Sequence, residues 1–182
     1  ARAEFDRVIG RDAKNTMALY NLGCVCVRLG EVAAARGAFQ KCLRANPGHV
    51  YSLLRLGRMS EEGHRFETAL KYYRRAVAAP NGPALTLRHL ARLAFKRGRM
   101  EEAREHLHQA LLHDPKDAFS LHLMARLYLK EGQDPAIAEA MARQAVALRP
   151  DRKEFWKELA RALEVLGKTD EAREALARAE GV

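Results

Sequence analysis

Apolar residues along the 182-residue chain fall into two alternating stripes, each with helical spacing. One stripe starts at Ala1, Ala35, Ala69, Ala103, Ala138 and Ala172. Four residues later come Phe5, Phe39, Tyr73, Leu107, Ala142 and Leu176, and seven later Val8, Cys42, Ala76, Ala110, Ala145 and Ala179. Steps of four and seven place all three on one helical face. The other stripe reads Leu19, Leu22, Gly23, Cys26, then Leu53, Leu56, Gly57, Ser60, then Leu87, Leu90, Ala91, Ala94. It continues as Leu121, Met124, Ala125, Tyr128 and Trp156, Leu159, Ala160, Leu163. Gly23, Gly57, Ala91, Ala125 and Ala160 form a column of small residues, the place where a neighbouring helix comes close.

The pattern steps by 34 residues, with one step of 35 between Ala103 and Ala138. Its punctuation predicts two helices per period. Gly30, Gly98, Gly132 and Gly167 fall at the turn inside each unit, with Gly63 one residue early, and Gly is the natural left-handed residue after a helix. Asn46-Pro47, Asp114-Pro115 and Arg149-Pro150 end the second helix, which proline cannot continue. One unit ends differently, at Pro80-Asn81-Gly82-Pro83. The extra residue falls in Gly132-Gln133-Asp134-Pro135, where Asp134 reads as an N-cap and Pro135 as a first helical residue.

A 34-residue helix-turn-helix with large-x-x-Leu-Gly/Ala, then Ala, Phe/Tyr, Ala and Pro, resembles the tetratricopeptide repeat (TPR) family. Asn21-Leu22-Gly23 and Trp156-x-x-Leu159-Ala160 match closely, whereas Cys26, Ser60, Ala94 and Leu163 replace an aromatic and Ala142 is small. The resemblance implies an all-α fold, a right-handed α-solenoid (superhelix) of antiparallel helix pairs. It sets the single domain 1–182 out as repeats 16–49, 50–83, 84–117, 118–152 and 153–182, with 1–15 the second helix of a truncated repeat. The chain reads as an excised fragment with Phe5 and Val8 partly uncovered, so self-association through an open N-terminal end is one expectation. Glu180, where earlier repeats have Leu43, Val77, Leu111 and Val146, suits the polar end of an array.

Function then turns on the face opposite the buried stripe of each first helix. The stripe occupies positions 4, 7, 8 and 11, so positions 2, 5, 6, 9, 12 and 13 point away. In the family resembled here, that face lines a concave groove that holds extended or helical peptides. Position 9 is Cys24, Arg58, Arg92, Arg126 and Arg161, four arginines in successive repeats. Asn21, Arg55, Arg88, His89, Lys96, His122 and Lys130 complete the candidate peptide-binding set. Arg58 has Glu61 and Glu62 within one helical turn, and Arg161 has Glu158 and Glu164. Arg92 and Arg126 instead have Lys96 and Lys130 four residues on, an unfavourable like-charge spacing. Uncompensated positive charge is therefore expected in repeats three and four.

Charge points the same way. The chain holds 32 Lys and Arg against 23 Asp and Glu, a formal +9, which favours acidic partners. Some TPR domains clamp the terminal carboxylate of chaperone tails with Lys and Asn at fixed groove positions. None of the three registers of this chain supplies that set, so the chaperone-cofactor reading is rejected. Nucleic acid is disfavoured, because only Phe95 and Phe119 interleave the arginines as stacking platforms.

Nothing in the sequence reads as catalysis or cofactor binding. There is no Gly-rich phosphate loop, nucleophile elbow or HExxH pattern. Cys24 and Cys26, two apart on a helix, face opposite ways, and Cys26 and Cys42 occupy core positions. His106, His108 and His113 lack the spacing of a metal site. No apolar run is long enough to span a membrane, and the odd cysteine count fits a reducing, cytoplasmic compartment. The expected function is a non-enzymatic scaffold binding a protein or peptide, preferably acidic. The alternative is a structural segment of a larger bacterial protein that docks through its ends or convex face.

Overall fold

The structure, a computed structural model, describes residues 2–80 and 82–181. Ala1 and Asn81, which figure in the repeat and turn readings, lie outside the described residues. The described residues form helices joined by short turns and contain no strand. The helices are α1 (Arg2–Arg11), α2 (Thr16–Arg28), α3 (Val32–Ala45), α4 (Val50–Glu62), α5 (Phe66–Val77), α6 (Pro83–Lys96), α7 (Met100–His113), α8 (Ala118–Glu131), α9 (Pro135–Leu148), α10 (Lys153–Val165) and α11 (Thr169–Glu180). The chain divides into two compact units, Ala1–His89 and Leu90–Val182, with the division inside α6.

In unit 1, α2 packs on α3 and α4 on α5, while α1 lies against α2 and α3 against α4. Both stripes read from the sequence point inward. Leu19, Cys26, Phe39, Cys42, Leu53, Leu56 and Tyr73 are buried to 2% exposure or less. Each large side chain removed from water contributes about 1.5–3 kcal/mol. Two polar core side chains of these stripes find backbone partners. Ser60 Oγ donates to Leu56 O at 2.8 Å, and Cys42 Sγ donates to Thr16 O at 3.4 Å.

In unit 2, α8 packs on α9 and α10 on α11, with further contacts of α7 on α8, α9 on α10 and α8 on α10. One core cluster joins Leu121, Ala125, Ala142, Ala145, Phe155, Leu159 and Leu163, and another joins Ala91, Ala94, Leu107, Met124 and Leu127. The alanine stripes let the second helices lie close, and the rings of Phe119 and Phe155 meet edge to face at 5.2 Å. A polar clamp ties α9 to the start of α11: Lys168 Nζ donates to Glu139 at 2.7 Å, and Arg143 holds both Glu139 and Glu171.

The turns follow backbone sterics. Gly30, Gly98, Gly132 and Gly167 have φ of +74°, +75°, +63° and +72°, the left-handed exit expected of them. The turn after α4 departs from that reading. Gly63 has φ −87°, and the left-handed residue is His64, with φ 55°. The residue in the equivalent place of the period is thus a histidine, and the early glycine does not replace it. Asp134 caps α9 through its side chain, which accepts from Ala136 N at 3.0 Å, with Pro135 at the first helical position.

Candidate functional site

The first helices α2, α4, α6, α8 and α10 turn positions 4, 7, 8 and 11 inward. Helical geometry leaves positions 2, 5, 6, 9, 12 and 13 on the other side. Each unit has a hollow built from that set.

The hollow of unit 1 has a volume of about 170 Å³ and is lined by Tyr20, Tyr51, Leu54, Arg55, Arg58, Leu85 and His89. Its wall is aromatic: Tyr20 lies 6.0 Å from Tyr51 and 5.3 Å from His49, ring centre to ring centre. Burial and a hydrogen bond with Cys24 raise the Tyr20 hydroxyl above its usual range, so it stays a neutral donor beside Arg55. Arg58 is 44% exposed and pairs with Glu62 at 3.6 Å. Glu61, the other carboxylate within its reach in sequence, is buried and accepts from the Tyr73 hydroxyl at 3.1 Å. His89 stacks on Tyr73 at 5.7 Å. Asn21 and Cys24 line an adjoining hollow of about 310 Å³ with Phe5, Val25, Val27, Arg28 and Arg55. Arg88 is half-buried on α6.

The hollow of unit 2 is larger, about 460 Å³, and is lined by Phe95, Arg126, Leu129, Lys130, Glu158, Arg161, Glu164 and Val165. Arg126 and Lys130, one turn apart on α8, both sit over the Phe95 ring, at 5.1 and 4.8 Å. A cation over a π face is attracted by the ring quadrupole, and the shared ring draws together two like charges that their spacing alone would separate. The expectation of an uncompensated Arg126 is corrected here. Its Nε lies 3.4 Å from Glu158 Oε2, and the same carboxylate oxygen is 3.5 Å from Arg161 Nη1. Arg92 is half-buried and is not a free cation either. Lys96 is exposed at the end of α6.

His122 is set apart from the others. It is 8% exposed and stacks on Phe155 at 4.7 Å, so it packs as a core residue. Burial, helped by the nearby Arg126 charge, lowers its pKa to about 4. The imidazole is therefore neutral at pH 7 and adds no charge to the hollow.

All the residues that line the 170 Å³ hollow of unit 1 and the 460 Å³ hollow of unit 2 occupy positions 2, 5, 6, 9, 12 or 13 of a first helix. Tyr20, Tyr51, Leu54 and Leu85 carry no charge and so give no signal to a reading that follows arginine and lysine. The same helical wheel places them beside the arginines. The contact between Arg126 and Glu158 joins α8 to α10 and has no local spacing signature. Charge is unevenly shared: residues 1–89 hold 15 Lys and Arg against 7 Asp and Glu, net +8, and residues 90–182 hold 17 against 16, net +1. Among the described residues, no helix is long and apolar enough to cross a membrane.

Two family models described as tetratricopeptide repeat match the chain, one over residues 1–49, 20–83 and 122–181, the other over 61–127. The chain belongs to the tetratricopeptide repeat family, whose fold is that of a protein-interaction scaffold and whose members typically bind proteins or peptides and are not enzymes. Solved structures of similar fold include PilF of Pseudomonas aeruginosa, at 21% identity and a TM-score of 0.80 over 94% of this chain and 78% of that one. MamA is similar at 21% identity and 0.67, over 88% of this chain and 93% of that one. A tetratricopeptide repeat protein from Parabacteroides merdae is similar at 18% identity and 0.75, over 99% and 70%. At these identities the likeness shows the fold alone. No curated protein sequence matches the chain.

Proposed function

We propose that this protein is a scaffold of five full repeats, 16–49, 50–83, 84–117, 118–152 and 153–182, preceded by the second helix of another. On the outward face of its first helices it holds an acidic peptide or protein segment. The observation behind the reading is that arginines at position 9 line a hollow in each unit, Arg58 in the first and Arg126 with Arg161 in the second. Both hollows also present apolar or aromatic side chains, so a bound segment gains burial as well as charge contact. Arginine in a partly desolvated hollow suits carboxylates, which its planar fork can grip by two hydrogen bonds. Arg55, Arg88, Arg92, Lys96, Lys130, His89 and Asn21 flank these contacts.

A second reading has one observation in its favour. On the second helices of unit 1, Gln40, Leu43, Arg44, Tyr72 and Arg75 line a further hollow of about 340 Å³. That surface suits docking within a larger assembly.

Affinity capture from lysate of the source organism separates the two readings, using the wild type beside Arg92→Glu/Arg126→Glu. A partner that salt elutes from the wild type and that the double variant fails to capture supports the first-helix face. A partner held equally by both proteins moves the site to the second-helix face and ends the first reading.

A further inference from the structure

Glu158 lines an open hollow, yet it is only 5% exposed. Its Oε2 faces two guanidiniums from different helices, Arg126 on α8 at 3.4 Å and Arg161 on α10 at 3.5 Å. A charge-assisted N–H···O bond is normally about 2.7–2.9 Å, so both grips are loose. A carboxylate moved from water into such a place loses hydration that loose contacts do not fully restore. In keeping with this, desolvation holds Glu158 above the usual carboxylate range despite both arginines. The guanidiniums, by contrast, keep an open side, Arg126 being 38% and Arg161 66% exposed. Beside them stand Lys130, Leu129 and Val165, the last 65% exposed.

We propose that Glu158 is an internal stand-in for the carboxylate of an incoming segment, and that it sets which segments the unit 2 hollow accepts. The proposal rests on the reading that this face binds acidic segments. A ligand carboxylate arriving alone must share two arginines already partly neutralised, and it meets the repulsion of Glu158 and of Glu164, which lines the same hollow. A segment that also lays an apolar side chain against Leu129 and Val165 gains burial that offsets this competition. The ligand class of the hollow is therefore an acidic segment interleaved with apolar residues, and a purely polar polyacid is discriminated against.

The test is fluorescence anisotropy with two fluorescein-labelled peptides, one alternating Glu and Leu, the other alternating Glu and Ser. They are titrated against the whole chain as wild type, Glu158→Gln and Glu158→Ala, each checked for helicity by circular dichroism. Two replacements of different size guard against one failing to fold. The wild type is expected to favour the Glu-Leu peptide. Both variants are expected to bind either peptide roughly three- to tenfold more tightly, as removal of a weak internal ion pair allows. Wild-type binding that neither variant strengthens overturns the role of Glu158 and leaves the acidic-segment reading intact. Equal wild-type affinity for the two peptides overturns the apolar part. Absence of binding by all three proteins overturns the inference and the reading beneath it together.

Discussion

The ring of Phe39 on α3 lies directly against Gly23 on α2: a Cβ added at Gly23 would come 2.4 Å from Phe39 Cε1. The next repeat has the same relationship, with a Cβ at Gly57 falling 2.3 Å from Tyr73 Cε1. Both rings are fully buried. The small residue in the first helix and the aromatic in the second thus form one packing unit, and the closeness of each helix pair depends on both.

Gly23→Ala and Gly57→Ala are therefore expected to destabilise. Overpacking a rigid core site costs about 1–3 kcal/mol, and only part of this is offset by the roughly 1 kcal/mol that alanine gains over glycine in a helix. Gly37 lies on α3 with nothing within 4 Å of an added Cβ, so Gly37→Ala is expected to stabilise by up to about 1 kcal/mol. Thermal or urea unfolding followed at 222 nm reads all three. Equal effects at Gly23 and Gly37 would refute the packing argument.

His64 occupies a left-handed turn with φ 55° that glycine fills after α2, α6, α8 and α10. A side chain in this conformation costs roughly 1–2 kcal/mol, and glycine gives some of that back through its freer unfolded chain. His64→Gly should raise stability by about 0.5–1 kcal/mol, even though it loses the edge contact with Phe66 at 5.9 Å. A lower urea midpoint for the variant would show that the ring contact outweighs the backbone strain.

His122 makes stability depend on pH with a defined sign. Its folded pKa is about 4 against an ordinary 6.5, so between those values the unfolded chain binds a proton that the folded chain does not. Stability therefore falls as pH drops from about 6.5 toward 4, by on the order of 3 kcal/mol. Glu158, held above the usual carboxylate range by burial, acts in the opposite sense. The comparison that isolates His122 is wild type against His122→Phe, which preserves an aromatic against Phe155. Urea titrations at pH 7 and pH 4.5 should show a smaller loss for the variant. Parallel losses in both proteins would mean that His122 is not the group responsible.

Much of this was legible in the sequence because repetition supplies its own control. The same alanine, aromatic and glycine positions recur at a fixed step, and a buried stripe identified in one repeat is checked by the others. The face opposite the stripe follows from helical geometry, so the positions lining both hollows could be read from the chain, including Tyr20 and Tyr51. Side-chain pairing could not. Spacing along one helix made Arg126 look uncompensated beside Lys130, whereas its partners Glu158 and Phe95 come from neighbouring helices. His122 holds an outward position on the wheel, yet it is buried because the Phe155 ring of α10 covers it. At the α4 turn, Gly63 has the residue type that suits the left-handed place, whereas the period puts that place at position 64.

If arginines on the first-helix face attract acidic segments, binding must weaken as salt screens the charges. A fluorescein-labelled Glu-Leu peptide is titrated into wild type, Arg58→Glu and Arg126→Glu at about 50 mM and about 500 mM salt, a range over which screening shortens from roughly 14 Å to 4 Å. Such attraction gives measurable wild-type affinity at low salt, a loss of tenfold or more at high salt, and weaker binding by each charge-reversed variant. Affinity that is flat with salt and unchanged by both reversals would contradict it.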